Sequence, residues 1–303
     1  MSEAVVLTGA TGLVGSSLVA ALRAEERALR LVSRSPERLE AGPGVEAVGW
    51  DGRELAASAL SGAGAVVHLA GEPIFGGIPT RARRERMWTS RVDTTRSLVR
   101  RIGELPSSAR PRVLVCASAV GYYGDRGETE LDEDAGPGRG FLAELCVAWE
   151  EEAARAAEHG VRVARTRFAV VLSRRGGALP LLARVFRAGL GGRLGSGRQW
   201  FPWVHLDDVV ALLRLALDDA RMSGPANVVS PGVVRNADFT RSVARAVGRP
   251  ALVPVPGFAL RLALGELAGE LLDSRRAVPA RARALGHRFA WPELPPALAA
   301  ELH

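Results

Sequence analysis

A chain of 303 residues is long enough for one large α/β domain, or for a principal domain with a smaller second lobe. Its 47% hydrophobic and 24% charged residues are those of an ordinary globular protein and exclude a largely disordered one. The net charge of +7 rests on 40 basic residues, every one an arginine, scattered along the chain and not gathered in a tail or helix, which argues against nucleic acid as a partner.

Two cysteines, Cys116 and Cys146, are too few and too far apart for a disulfide framework or a Cys-rich metal site. The expectation is a reducing, cytoplasmic setting and no metal. The N-terminus enters an apolar strand without the charged start and long apolar run of a signal peptide. No membrane span is expected.

Short β-rich apolar runs at residues 4–8, 29–33, 45–49, 65–70 and 113–118 read as successive strands. Helical patterns at 15–24, 82–102 and 141–159 fall between or after them, and 161–172 reads as a sixth strand. This alternation predicts a parallel, doubly wound sheet. Beyond Ser173 the pattern breaks. Gly and Arg are dense through Arg198, a helix follows at 206–218 and a short strand at 226–229, and a Pro-punctuated region runs on from Pro231. The expected division is a main domain from 1–172 with 206–230, and a smaller, mostly helical lobe from 173–205 with 231–303.

The first strand runs straight into Thr8-Gly9-Ala10-Thr11-Gly12-Leu13-Val14-Gly15. In a strand–turn–helix context, Gly9 permits a tight exit from the strand, Gly12 lets the backbone approach a pyrophosphate, and Gly15 lets the helix pack closely. The helix N-terminus then faces the anion. Gly9, Thr11, Gly12, Leu13, Val14 and Gly15 are therefore expected to contact a dinucleotide, and the order strand, turn, helix makes the signal stronger than three glycines alone.

An acidic residue at the end of the second strand would bind the adenosine ribose hydroxyls; this chain has Ser33-Arg34 instead. A hydroxyl beside a guanidinium suits the 2′-phosphate of NADP, against the alternative of an exposed loop arginine. Asp51, just past the third strand, is a candidate for the adenine amino group, with a solvated turn as its alternative.

Short-chain dehydrogenases pair a tyrosine with a lysine four residues later, the ammonium lowering the phenol's pKa while a serine holds the substrate oxygen. This chain has no lysine, and the segment where the pair would fall, near Phe141-Leu142-Ala143-Glu144-Leu145-Cys146, has neither residue. Its only tyrosines lie in Ser118-Ala119-Val120-Gly121-Tyr122-Tyr123-Gly124. Ser118 ends a central strand, where open α/β sheets build their sites, so Ser118, Tyr122 and Tyr123 are the catalytic candidates, with packing or substrate stacking as the tyrosines' alternative. Glu133 and Asp134 read first as a solvated acidic turn. His205 is a possible acid or base, although Asp207 and Asp208 beside it read as helix caps. Cys146 reads as a small buried apolar residue and not a nucleophile. Arg167, Arg184 and Arg198 are candidate clamps for an anionic substrate such as a sugar nucleotide, with surface solvation as the alternative for each.

With these residues in view, the sequence resembles the epimerase-like family of atypical extended short-chain dehydrogenases/reductases, commonly labelled nucleoside-diphosphate-sugar epimerases. The resemblance covers essentially the whole chain. Its markers are Gly9-Ala10-Thr11-Gly12, Val32-Ser33-Arg34, His68-Leu69-Ala70-Gly71-Glu72, Ser90-Arg91, the segment from Ser118 to Gly124, Trp149-Glu150 and Phe201-Pro202-Trp203-Val204-His205. It implies a seven-stranded Rossmann core with a C-terminal helical lobe. It also implies NADP contacts from Ser33, Arg34, Leu69, Ala70 with Gly71, Arg91 and the backbone near Val171. Asn227 and residues 231–249 resemble the stretch leading into the second lobe, and Leu252-Val253-Pro254-Val255-Pro256 its connection. The missing tyrosine-lysine pair becomes a family trait, and the epimerase label an analogy of fold.

Two readings follow. One is an NADP-dependent oxidoreductase or epimerase-like enzyme acting on a hydroxyl or carbonyl of a small molecule. The other is a non-catalytic NADP-binding regulator or scaffold. Neither nucleic acid nor membrane is an expected partner; oligomeric state is left open.

Overall fold

The computed structural model describes residues 3–39, 42–74 and 80–302. Its first half alternates as the pattern requires: β1 (Ala4–Thr8), α1 (Leu13–Ala24), β2 (Leu29–Ser33), β3 (Val45–Gly49), β4 (Ala63–His68), α2 (Arg81–Trp88), α3 (Thr94–Glu104), β5 (Val113–Ala119), α4 (Phe141–Ala154) and β6 (Arg162–Phe168). There follow β7 (Val170–Leu172), α5 (Leu179–Arg187), β8 (Trp203–His205), α6 (Leu206–Asp218) and β9 (Gly224–Val228). The C-terminal part is helical: α7 (Asn236–Ala246), α8 (Gly257–Leu264), α9 (Gly269–Leu272), α10 (Ala280–Ala284) and α11 (Leu294–Leu302).

Seven strands form one sheet in the order β9-β6-β5-β4-β1-β2-β3, and the pairs β1–β2, β2–β3, β1–β4 and β4–β5 are parallel. Such strands are covered on both faces and need continuous apolar runs; Val6, Leu7, Val66, Val67, Leu114 and Val115 are each 0% exposed. The chain builds outward from β1 through β2 and β3, then returns to the other side of β1 with β4. That reversal opens a crevice at the carboxyl ends of the strands. The register sets its depth: Thr8 lies opposite both Val32 and His68, so β1 and β4 end together, one residue short of the end of β2.

Several elements differ from the sequence reading, three of them near expected site residues. The helix expected over 82–102 is α2 and α3 joined by a π-helical turn at Thr89–Asp93, which carries Ser90 and Arg91. Such an insertion leaves the apolar spacing nearly intact and so is hidden in the pattern. The strand expected over 161–172 breaks at Ala169, whose N–H donates to Val228 O at 3.2 Å. The chain then continues as β7, which pairs with β8 in a two-stranded sheet of its own; an apolar run cannot show a change of partner. The strand expected over 65–70 runs from Ala63 to His68, leaving Leu69 and Ala70 outside the ladder.

The chain forms two compact units: residues 1–118, 147–166 and 212–225, and residues 119–146, 167–211 and 226–303. The second has its own core, in which Leu172, Phe186, Phe201 and Trp203 pack with Phe239 of α7 and Leu298 of α11. Among the described residues no helix is long and apolar enough to cross a membrane, and no group of three or more His, Cys, Asp or Glu could hold a metal.

Candidate functional site

In the first unit the turn after β1 has little latitude. Gly9 is in the left-handed region at φ 75°, and a β-carbon there would lie 2.8 Å from the Leu69 carbonyl carbon. A β-carbon on Gly15 would collide with the Gly9 carbonyl oxygen. Gly12 N-caps α1 with no side chain to offer, and no acidic residue stands in the first turn. The opening amides of a helix have no carbonyl four residues back. Those of α1 have no side-chain cap and no acidic side chain in the first turn, the donor set that a pyrophosphate fits.

The loop after β4 is tied to this turn. Leu69 N donates to Thr8 O at 3.3 Å, Ala70 N donates to Thr8 Oγ1 at 3.3 Å, and Thr8 Oγ1 is 2.7 Å from His68 Nδ1. Burial drops the His68 pKa to about 4, so the ring is neutral at pH 7. His68 Nε2 is buried and has no hydrogen-bond partner among the described residues.

Ser33 Oγ accepts from Ser35 N at 3.1 Å and shapes the turn after β2. Arg34 is exposed and has no ion-pair or hydrogen-bond partner among the described residues. Asp51 is exposed and accepts from Arg53 N at 2.8 Å, the geometry of a solvated turn. Arg91 is 9% exposed, lies over Trp149 with Cζ 5.3 Å from the ring centroid, and would sit 3.2 Å from a β-carbon on Gly71. It therefore lies directly under the 69–71 loop. Val171 belongs to the second unit, in β7 opposite Val204.

Ser118, 2% exposed, donates to Glu150 Oε1 at 2.7 Å. The other carboxylate oxygen is 3.7 Å from Arg165 Nη1. Glu150 thus takes the serine proton and leaves Ser118 Oγ able to accept. Glu150 was not singled out for a role in the sequence; its signal was the Trp149-Glu150 marker. Burial pushes the Cys116 thiol up to about 12, which disfavours a thiolate there, and Cys146 is 4% exposed.

In the second unit the two tyrosines part ways. Tyr123 is 0% exposed. Its hydroxyl lies 2.8 Å from Asp132 O and from Asn227 Oδ1 and accepts from Arg167 Nη1 at 2.9 Å. Burial pushes its pKa up to about 12. This hydroxyl is committed to holding the fold. Tyr122 is half-exposed, its ring lies 3.6 Å from Arg167 Cζ, and its hydroxyl has no hydrogen-bond partner among the described residues. Of the two, only Tyr122 has a hydroxyl free to meet a ligand.

Arg167, a candidate surface clamp, is 2% exposed and serves these tyrosines, whereas Arg184 and Arg198 are exposed. Glu133 is not a solvated turn residue. It is 5% exposed and accepts from Asn227 N at 3.0 Å and Arg281 N at 3.2 Å; Asp134 is exposed. His205 Nδ1 accepts from Asp207 N at 3.1 Å, and Nε2 faces Glu301 Oε1 at 2.8 Å. Asp208 accepts from Ala290 N at 2.7 Å and Trp291 N at 3.0 Å. The expected caps of α6 thus hold the C-terminal segment, and Asp208 does so in place of capping its own helix.

A parallel sheet with a topological switch, and a glycine turn leading into an uncapped helix, define a Rossmann dinucleotide-binding protein. The profile of the NAD dependent epimerase/dehydratase family matches residues 5–230, and the chain belongs to that family. A second profile, a domain of unknown function (DUF1731), matches residues 255–301. The chain is 39% identical to the epimerase family protein SDR39U1 homolog, chloroplastic, of Arabidopsis thaliana, over 98% of this chain and 86% of that one. The crystal structure of human epimerase family protein SDR39U1 with NADPH is 32% identical, with a TM-score of 0.87 over 99% of each chain. A nucleoside-diphosphate sugar epimerase from Corynebacterium glutamicum is 37% identical, with a TM-score of 0.80 over 100% of this chain and 58% of that one.

Proposed function

We propose that this chain binds NADP(H) at the glycine turn and is an oxidoreductase or epimerase acting on a hydroxyl or carbonyl of a small molecule, nucleotide sugars being the first class to test. The carrying observation is Arg34: an exposed guanidinium without a partner among the described residues, where an acidic residue would favour NAD. The human relative solved with NADPH supports the same choice.

When bound, the nicotinamide supplies or removes hydride. The chain's own contributions are binding and orientation. The first amides of α1 hold the pyrophosphate, Ser33 and Arg34 the 2′-phosphate, and Leu69, Ala70 and Gly71, backed by Arg91, line the dinucleotide. Ser118, its proton taken by Glu150, accepts a hydrogen bond from a substrate hydroxyl, and Tyr122 presents a hydroxyl with no partner among the described residues. Two free cysteines, both buried, suit a reducing compartment such as the cytoplasm.

Titration of NADPH and NADH by nicotinamide fluorescence tests the cofactor. Arg34→Asp is expected to weaken NADPH at least about tenfold, the scale of one lost charge-assisted contact, and to spare NADH. Equal loss of both would refute the assignment. A second reading, a non-catalytic NADP-binding regulator or scaffold, is favoured by Leu142 and Cys146 standing in the segment where a tyrosine-lysine pair would fall. Tight NADPH binding without turnover of aldehydes, ketones or nucleotide sugars would favour that reading.

A further inference from the structure

Among the described residues the exposed large apolar side chains are Leu181, Leu190, Leu252, Val253, Phe258 and Leu262, all in the second unit. They fall in two stretches, residues 179–198 and 239–265, that contain four arginines each and no aspartate or glutamate. The two stretches meet. Val253 N donates to Gly191 O at 3.2 Å and Val255 N to Arg193 O at 2.9 Å, and α5 packs against α7. Leu190 and Leu252 flank the first of these bonds, and α8 begins directly after the second.

Of the eight residues of α8 only Arg261 has a polar side chain, yet none of the eight is buried. A helix apolar around its circumference is one covered by protein or by lipid, and eight residues are too few to hold a helix by propensity alone. Phe258, 73% exposed, and Leu262, 88% exposed, lie one turn apart on the same face, and Leu252 ahead of them is 75% exposed. Pro250, Pro254 and Pro256 stiffen this approach, so its apolar side chains are held outward at little entropic cost. The arginines around the face are uncommitted. Arg184, Arg193, Arg245 and Arg249 are exposed, and their guanidinium groups have no ion-pair or hydrogen-bond partner among the described residues. The acidic groups at its margin are spoken for: Asp238 pairs with Arg241, and Asp273, which faces Arg261, is bonded to Arg275 at 2.9 Å.

This charge pattern selects the occupant. An isologous dimer across the face would set arginine against arginine. A bound apolar peptide needs a recess, whereas these side chains project. A layer of anionic headgroups over hydrocarbon answers both features, phosphates taking the guanidinium groups and the acyl boundary taking the apolar side chains. We propose that this face docks the protein on an anionic lipid surface, with Leu252, Phe258 and Leu262 inserted and Arg193, Arg245 and Arg249 on the phosphates. The expectation of no membrane partner rested on the lack of a spanning segment. No described helix can span a bilayer, but that does not bear on a helix lying in the interface.

The test is flotation of the full chain with vesicles of phosphatidylcholine, with and without phosphatidylglycerol. The chain is expected to float with the anionic vesicles, to bind the neutral ones at least about tenfold more weakly, and to be released by high salt. Phe258→Ser with Leu262→Ser is expected to weaken binding at least about thirtyfold, and Arg245→Gln with Arg249→Gln at least about tenfold. Each pair replaces exposed side chains and should hold Tm within about 2 °C of wild type. A polarity-sensitive fluorophore attached through Leu262→Cys, in a chain whose Cys116 and Cys146 are buried, gives a readout that does not depend on those variants. Its emission should shift to the blue on anionic vesicles and stay in place with inorganic phosphate alone. No flotation, equal flotation on neutral vesicles, undiminished binding by the serine pair, or an unshifted label each overturns the proposal. So does a wild-type dimer in sedimentation that the serine pair converts to a monomer, since the face would then belong to a second copy.

Discussion

His68 ends β4 with its ring buried, and that burial gives stability a pH dependence. Unfolded, the imidazole titrates near 6.5; folded, it does so at about 4. Between those values the unfolded chain binds the extra proton, so the contribution is complete above about pH 6.5 and is lost as pH falls toward 4. The difference is worth about 3 kcal/mol. Urea unfolding of wild type and His68→Asn across that window should show a slope in the first that is largely missing from the second. The tyrosines give a paired prediction. Tyr123→Phe strands Asn227 Oδ1 and Asp132 O and should cost about 1–3 kcal/mol. Tyr122→Phe should stay within about 0.5 kcal/mol and affect ligand turnover only. Single residues were legible where the backbone places them. Ser118 lies next to the last residue of β5 and Tyr122 just beyond that strand, but the partner of Ser118 lies 32 residues on, and Glu133 meets Asn227 across 94. A carboxylate in a polar loop looks solvated until the fold closes over it.

At the scale of elements, strands β1 to β3 fall where their apolar runs lie, and α6 matches its expected span, because local pattern and tertiary position agree there. Pattern failed where an element changes character without changing polarity: at the π turn of 89–93, and at Ala169, where β6 gives way to β7. Both lie beside residues proposed to contact the cofactor, Arg91 and Val171, where a departure from regular geometry can re-aim a side chain. The α1 turn gives the sharpest test. A Gly15→Ala methyl has to occupy the place of the Gly9 carbonyl, so the helix start must move away from the anion it is proposed to hold. NADPH affinity should fall at least about tenfold, equivalent to about 1.4 kcal/mol. Far-UV dichroism should stay close to wild type, because the cost is local.

At the scale of the molecule, the boundaries between the two compact units fall within the residues of β5, β6 and β9. Local sequence could show that the pattern changes after Ser173, but not that the boundary runs through strands, since that depends on pairings between distant segments. Calorimetry measures what a bound ligand adds to the stability of the chain. A ligand that binds only the folded chain raises stability by RT ln(1 + [L]/Kd), about 2.7 kcal/mol at a hundredfold excess over Kd. For a chain of this size that is a rise of several degrees in Tm. At equal concentration NADPH should therefore shift the transition further than NADH. The excess reports the 2′-phosphate contact alone, so Arg34→Asp should bring the NADPH shift down to that of NADH while leaving the NADH shift in place. If the mutant keeps the difference, the 2′-phosphate is held by other groups, and the end of β2 does not choose the cofactor.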